Sequence, residues 1–379
     1  MAAINDNSVL RVLIVRLGSM GDVIHALPAA AGIRAMYPGV EIGWGIEERW
    51  VELLASSEAA RLRRRSPEKP LADRIHLINT QAWRQQPFSG QTWKEVWRSA
   101  SELRDTHYEV AIDIQGAWKS AFVALVSGAP VRIGFREPRE HGAGVFYNRE
   151  VMAKGNHIVE QNFSLLAGLV RLAGDARDDA RQEVLRRGPP PPQLPRDEAH
   201  ELWACEELGR HGLLEREFAI VNPGAGWGAK RWPAESYAAV ARGLGEMGVC
   251  SLVNFGPGED ELAKAVAAGS GGAALAFRYT LAQLIALTRR ARLFVGGDTG
   301  PMHLAAALGV PVVAIFGPTN PARNGPYGTQ AIVLRSPESV TSHSRRAQPD
   351  AAMLTISAVE VLAAARELLE RTRARGGAA

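Results

Sequence analysis

A chain of 379 residues is too long for one ordinary hydrophobic core, so two domains are expected. A hydrophobic fraction of 46% and a charged fraction of 22% exclude a disordered chain, and two cysteines, Cys205 and Cys250, exclude a disulfide framework. A net charge of +4 is too mild to argue for nucleic acid as the partner.

The N-terminus "MAAINDNSVL" lacks the cationic start and apolar core of a signal peptide, so none is expected. The apolar run "VLRVLIV" (9–15) reads as a strand, followed by the glycine turn "RLGSMGDVIH" (16–25) and the helical pattern of "DVIHALPAAAGIRAMYP". "VEIGWGI" reads as the next strand. The basic stretch "RLRRR" (61–65) is open to two readings, a solvated helix face or a contact for an anionic lipid or phosphorylated substrate. "EVAIDIQG" then leads as a strand into the helix "AWKSAFVALVSG". Strands alternating with helices imply a mainly parallel sheet covered on both faces.

"GPPPPQLP" (188–195) is neither helix nor inner strand and reads as a stiff linker. Beyond it the alternation restarts, with strands in "EFAIVNPG", "VCSLVNFGPGE", "RLFVGGDTG" and "VPVVAIFGPTN". The longest apolar stretch, 302–317, carries a histidine, a proline and two glycines, and reads as helix, turn and strand rather than a membrane span. A final helix is expected over 358–375. The division is therefore a first α/β domain over 1–187, the linker 188–195, a second α/β domain over 196–357, and a C-terminal helix and tail over 358–379. Ligands of doubly wound sheets bind outside the carboxyl ends of the strands, where each glycine loop falls.

Three loops carry the chemistry. In "VGGDTGPMHLAAALGVP" (295–311), Asp298 and Thr299 suit the cap positions of a helix beginning near Pro301. The amides of Thr299 and Gly300 would then face an anion at the positive helix end, with His303 as a further donor. An ordinary capped connection is the alternative. In "VNPGAGWGAKRWP" (221–233), glycines 224, 226 and 228 allow close approach of backbone to an oxyanion, and Lys230 can neutralise it. A flexible loop with a surface lysine is the alternative, and the spacing is not that of a Walker loop. Glu259 in "FGPGEDE" (255–261) reads either as an acceptor for sugar hydroxyls or as an ordinary acid at a helix start. At the first loop, Asp22 falls in the first helical turn with His25 three residues on. The helix dipole favours its ionised form and burial opposes it, so the direction of its pKa is open.

Taken in order, "RVLIVRLGSMGDVIHALPA", "AIDIQGAWKSA" (111–121), "REP" (136–138), "VFYNR" (145–149), "KRWP" (230–233) and "GGDTGPMHLAAALGVPVVAIFGPTNPARNGPYG" (296–328) resemble glycosyltransferase family 9, the bacterial heptosyltransferases, in particular the lipopolysaccharide heptosyltransferase I type. The resemblance implies an α/β GT-B fold, two Rossmann-like doubly wound domains facing a central cleft. It implies inverting transfer of L-glycero-D-manno-heptose from ADP-heptose to Kdo of the lipid A inner core, with no metal and no other cofactor. It places the catalytic base on Asp22. The donor side falls on Lys230, Gly224, Gly226, Glu259, Asp298, Thr299, Gly300 and His303, with Tyr279 where the family has an adenine-side methionine. Candidate contacts for the anionic acceptor, on this chain's own residues, are Ser19, Gly21, Arg84, Gln115, Lys119 and Arg136.

The implied partners are ADP-heptose, Kdo-lipid A and the inner face of the cytoplasmic membrane, touched peripherally from the cytoplasm, with "RLRRR" and "WRQQPF" (83–88) toward the lipid. Trp83 and Trp93 suit either that interface or a core. "GAGWGA" ahead of Lys230 lacks the threonines of relatives, so amides must serve in place of hydroxyls. Rival expectations are a heptosyltransferase II or another family 9 transferase, and a non-catalytic nucleotide-sugar-binding protein of envelope assembly. A nicotinamide dehydrogenase is disfavoured, because the first loop lacks G-x-G-x-x-G.

Overall fold

The computed structural model describes residues 9–86, 89–173, 178–342 and 348–376. The chain forms two compact units, Met1–Arg196 and Asp197–Ala379.

The first unit is built on six strands, β1 (Arg11–Val15), β2 (Glu41–Ile46), β3 (Arg74–Leu77), β4 (Val110–Asp113), β5 (Val131–Phe135) and β6 (Arg149–Val151). Their order is β3-β2-β1-β4-β5-β6, with every neighbouring pair parallel. The second unit repeats the plan with β7 (Phe218–Asn222), β8 (Cys250–Asn254), β9 (Ala274–Phe277), β10 (Leu293–Gly297), β11 (Val312–Phe316) and β12 (Ala331–Arg335). Its order is β12-β11-β10-β7-β8-β9, again parallel throughout. Numbered within its own unit, each sheet is the 3-2-1-4-5-6 arrangement of a dinucleotide-binding fold. The expected pair of Rossmann-like domains is present.

Burial explains the apolar strands. Val12, Leu13, Ile14 and Val15 of β1 are wholly buried, as both faces of a central parallel strand are covered by helices. Val221, Val253, Val295 and Val313 form the corresponding floor of the second core. Each sheet reverses its winding between its two central strands, β1 and β4 in the first unit and β7 and β10 in the second. There the connecting helices leave toward opposite faces and open a crevice at the carboxyl ends.

Two boundaries differ from the sequence reading. The proline segment groups with the first unit, so the division falls between Arg196 and Asp197. The final helix, Ala358–Gly376, is part of the second core rather than an appended tail. Val361, Ala364, Ala365, Leu368 and Leu369 repeat at helical spacing, are buried, and join the cluster that contains Trp232 and Val240. The stretch read as one helix after the first loop is two, Met20–Ile24 and Leu27–Met36, because the chain turns at His25–Ala26.

Leu368→Ala removes a fully buried side chain and is expected to destabilise the second unit by about 2–5 kcal/mol. A denaturant melt followed by the fluorescence of Trp232 checks this, and an unchanged midpoint would contradict the helix's place in the core.

Candidate active site

In the first unit, the register of β1 and β4 sets Val15 beside Asp113, so the loops leaving both strands start side by side. Arg16 is the first residue past β1 and is 4% exposed. Its guanidinium lies 2.5 Å from Asp22 Oδ1 and donates at 3.0 Å to the carbonyl of Ile114, past the end of β4. The other oxygen, Asp22 Oδ2, accepts from the Ser19 N–H at 3.0 Å and from the Ser19 hydroxyl at 3.1 Å. Asp22 is the third residue of Met20–Ile24, and this back-bond to the residue before the helix is half of a capping box.

Burial pulls the Asp22 pKa upward, but Arg16, the two Ser19 donors and the more distant charge of Arg139 outweigh it, leaving the carboxyl below its ordinary value. The question left open by the sequence is thus answered. The side chain is 31% exposed, so the carboxylate is ionised, oriented and reachable from solvent. His25, expected on the same face, instead ends the helix and is buried edge-on against His157 at 5.7 Å.

The neighbouring turn is held from below. Asp113, fully buried, accepts from Tyr147 Oη at 2.7 Å, Ser120 Oγ at 2.9 Å, and the N–H groups of Gln115 and Gly116 at 2.8 and 3.2 Å. Burial raises its pKa against those bonds. The Gln115 side-chain oxygen accepts from the Leu17 N–H at 3.1 Å, tying the two loops together. Gly21 is buried in the helix start.

The remaining acceptor-side candidates spread outward. Lys119 is 46% exposed and lies 3.5 Å from Glu47 Oε1. Arg136, 61% exposed, faces Glu150 at 3.9 Å. Arg84 lies on the helix Thr80–Gln85, and its side chain falls outside the described residues, as do Pro87 and Phe88 of the 83–88 stretch. The "RLRRR" side chains are exposed.

In the second unit, β7 and β10 pair so that Asn222 lies beside Gly296. Lys230 follows β7 by eight residues. It is fixed by Trp232, whose buried indole donates to the Ile356 carbonyl at 3.0 Å and packs edge-on against Tyr237 at 4.9 Å. Lys230 Nζ reaches Asp298 Oδ2 at 2.6 Å and the Asp298 carbonyl at 3.3 Å, and lies 4.6 Å from the Trp227 ring centroid. His303 Nε2 stands 3.2 Å from Asp298 Oδ1. Burial works against the Asp298 carboxylate, but His303 and Lys230 hold its pKa well below the usual range.

One expectation is corrected here. Asp298 and Thr299 do not cap the helix Gly300–Ala307 with their side chains. Thr299 occupies the cap position without a side-chain cap bond, its hydroxyl donating to the Gly297 carbonyl at 3.4 Å, and the Asp298 carboxylate is taken by two cationic or proton-bearing partners, which bind it more strongly than neutral amides. Pro301 has no N–H, and those of Met302 and His303 go to the Thr299 carbonyl at 3.1 and 3.3 Å, which leaves the Gly300 N–H to meet an anion. An ammonium has three N–H donors, and the Asp298 contacts occupy two of those of Lys230.

Beside this corner, Asn254 Nδ2 donates to Asn222 Oδ1 at 2.6 Å, and Asn222 Nδ2 donates to the Gly224 carbonyl at 3.0 Å. This ladder supports the glycine loop from the strand ends. Glu259 precedes the helix Asp260–Gly269 and accepts from the Gly256 N–H at 2.8 Å. Its carboxylate packs on Gly224, where any added side chain would have to displace it. Gly226 has open space above its Cα. Tyr279, past the edge strand β9, packs between Trp203 and Phe277 at 5.9 Å each. Its buried hydroxyl has no partner among the described residues.

Arg16, Arg139, Asn222 and Asn254 were not singled out from the sequence. Arg16 and the two asparagines share a legible signal, a polar side chain at the carboxyl end of an apolar strand. Arg139 acts on Asp22 through space and leaves no local pattern.

Arg16→Gln leaves burial as the dominant influence on Asp22. Its carboxyl titration, followed by carbon NMR, is therefore expected to move to higher pH. The native pair stabilises the fold above the unfolded-state pKa and loses that contribution as pH falls through the depressed folded one, so the variant loses less stability on acidification. An unmoved titration would remove Arg16 as the cause.

The sequence pattern of glycosyltransferase family 9 (heptosyltransferase) matches residues 96–352. The chain is 30% identical over 340 residues to lipopolysaccharide heptosyltransferase 1 of Pseudomonas aeruginosa, covering 86% of this chain and 84% of the relative. It is 28% identical over 337 residues to the Escherichia coli K12 protein of the same name, covering 86% and 94%. The solved structure of E. coli heptosyltransferase WaaC with ADP superposes with a TM-score of 0.72 at 27% identity, covering 95% of this chain and all of that one. With the GT-B pair of parallel six-stranded sheets and a charged corner at the mouth of each, these matches show that the chain belongs to glycosyltransferase family 9, the heptosyltransferases.

Proposed function

We propose that the protein transfers L-glycero-D-manno-heptose from ADP-heptose to a Kdo residue of the lipopolysaccharide inner core, with inversion and without a metal. The reading is carried by two features, each within its own unit: an ionised, solvent-reaching Asp22 in the first and the Lys230–Asp298–His303 corner in the second. The names of the P. aeruginosa and E. coli relatives, and the ADP of the WaaC structure, support the choice of sugar, pathway and nucleotide.

The chemistry follows from the groups present. Asp22 Oδ2, oriented by Ser19, accepts the proton of an acceptor hydroxyl. The hydroxyl oxygen forms a bond to the anomeric carbon of the heptose. The bond from that carbon to the diphosphate breaks, and ADP leaves with the electron pair. A depressed pKa makes Asp22 a weak base, so the proton is taken late, as the attacking oxygen becomes acidic.

Charge building on the diphosphate is met by the remaining Lys230 donor, the glycine-loop amides and the Gly300 N–H at the start of Gly300–Ala307. One well-placed donor of this kind contributes roughly 3–4 kcal/mol in a transition state, which supports transfer without a metal. Glu259, on the loop after β8, has the acceptor oxygens a ribose needs, and Tyr279 supplies a flat apolar wall for a base.

The acceptor is a membrane lipid, and no helix among the described residues is long and apolar enough to cross a bilayer. Contact with the cytoplasmic leaflet would be peripheral, through exposed cations such as those of 61–65, and weakened by salt.

Purified protein, ADP-heptose and de-acylated Kdo-lipid A, assayed by mass spectrometry, test the reading. Asp22→Asn is expected to lower turnover by at least about 100-fold with ADP affinity retained; undiminished turnover would remove Asp22 as the base. Lys230→Ala is expected to weaken ADP binding and turnover together, and equal ADP affinity would contradict its role. Chelation by EDTA is expected to leave the rate intact, and abolition would point to a metal-dependent transferase. Transfer only to an acceptor already bearing heptose would reassign the protein to the second addition.

A further inference from the structure

The first unit carries a cavity of about 430 Å³ that the reading above does not use. Its apolar walls are Trp83, Trp93, Val96, Phe122 and Val123. They come from three helices, Thr80–Gln85, Gly90–Asp105 and Trp118–Val126. The volume falls in the usual range of small-ligand sites, roughly 300–1,000 Å³.

The surroundings of the hole are as informative as its walls. Trp93 is 55% exposed and Phe122 49% exposed. Trp97 lies four residues beyond Trp93, and Leu125 three beyond Phe122, and both are exposed as well. Two helices therefore turn apolar ridges toward solvent around one cavity. Single exposed apolar side chains need no explanation, but a cluster gathered at an opening marks a binding surface.

Charge restricts what can bind. Lys94 and Arg98 are exposed on the same helix as Trp93, and Arg49 and Lys119 stand at the rim. The one carboxylate lining the cavity among the described residues, Glu47, is buried and taken up by Arg49 at 2.8 Å, Thr80 at 3.0 Å and Lys119 at 3.5 Å. An occupant with an apolar body and an anionic head is complementary to this arrangement. The Trp83 indole N–H is shielded from water and has no acceptor among the described residues, a donor suited to an ester or carboxylate oxygen.

The cavity adjoins the proton acceptor's loop. The Glu47 N–H donates to the Leu17 carbonyl at 3.0 Å, and the Glu47 carboxylate lies next to Gly18. The Ser19–Asp22 turn begins there.

We propose that this cavity receives one fatty-acyl chain of an anionic amphiphile, the apolar part of the acceptor whose hydroxyl Asp22 deprotonates. The identity of that molecule rests on the proposed transferase reading; the binding of a chain does not. Tryptophans and cations around an apolar slot match the boundary between headgroup and hydrocarbon. Each methylene taken from water strengthens binding about fourfold, so affinity depends steeply on chain length.

The test uses the full chain and 9,10-dibromostearate, whose bromines quench tryptophan at short range, below its micelle concentration. Saturable quenching is expected, with hexanoate failing to compete. Phe122→Asp is expected to weaken binding at least tenfold with the melting temperature unchanged, and Phe122→Ala serves if that variant does not fold. Trp83→Phe, which keeps the wall and removes the N–H, is expected to weaken binding several-fold. Quenching that does not saturate, or equal affinity in a folded Phe122 variant, overturns the cavity assignment. Heptose transfer to acylated and de-acylated acceptors is measured alongside. Transfer with equal KM for both acceptors overturns the acceptor assignment. Chain binding with no transfer to any acceptor leaves the cavity assignment standing and sinks the transferase reading instead.

Discussion

A reversal of winding within a parallel sheet is the constraint on which both charged corners depend. At that point two neighbouring strands end together while their helices depart to opposite faces, so loop atoms are exposed that would otherwise be covered. In the first unit this sets Arg16, past β1, against the Ile114 carbonyl, past β4. In the second it sets Lys230, past β7, against Asp298, past β10. The cation–carboxylate pair of the first unit, Arg16 with Asp22, lies within the loop after β1, whereas that of the second, Lys230 with Asp298, spans two strand ends.

The two pairs differ in what they leave available. Asp22 keeps nearly a third of its side-chain surface open, whereas Asp298 keeps 7%. Removing a charge from water is unfavourable unless partners replace the lost hydration, and Asp298 has Lys230 and His303 for that purpose. The exposed carboxylate is suited to exchanging a proton. The enclosed one is suited to fixing the position of a lysine. Two aspartates, one past the first strand of its sheet and the other past the fourth of its own, acquire different chemistry from burial and neighbours.

Much of this was legible from residues alone. Alternating apolar strands and helices gave both sheets, and glycine loops marked the strand ends that carry Asp22, Lys230 and Asp298. Family resemblance supplied roles that spacing could not. What escaped was contact at long range: Arg16 meets Ile114 across 98 positions and Lys230 meets Asp298 across 68, and no local pattern reports such pairs. The Asp298–Thr299 cap failed for the same reason, since a local rule was overridden by a distant lysine. The final helix was visible as a helix, but its place in the second core depends on which apolar face meets Trp232 and Val240.

Trp232 ties this chemistry to packing. Its ring is set in the second core and its indole is tethered to Ile356, just ahead of the last helix, while two residues earlier the chain delivers Lys230. A slight loosening of that hydrophobic layer would let the ammonium drift before any unfolding became measurable. Heat, cosolvent or a conservative change far along the chain should then blunt the grip on an anion first and melt the domain second.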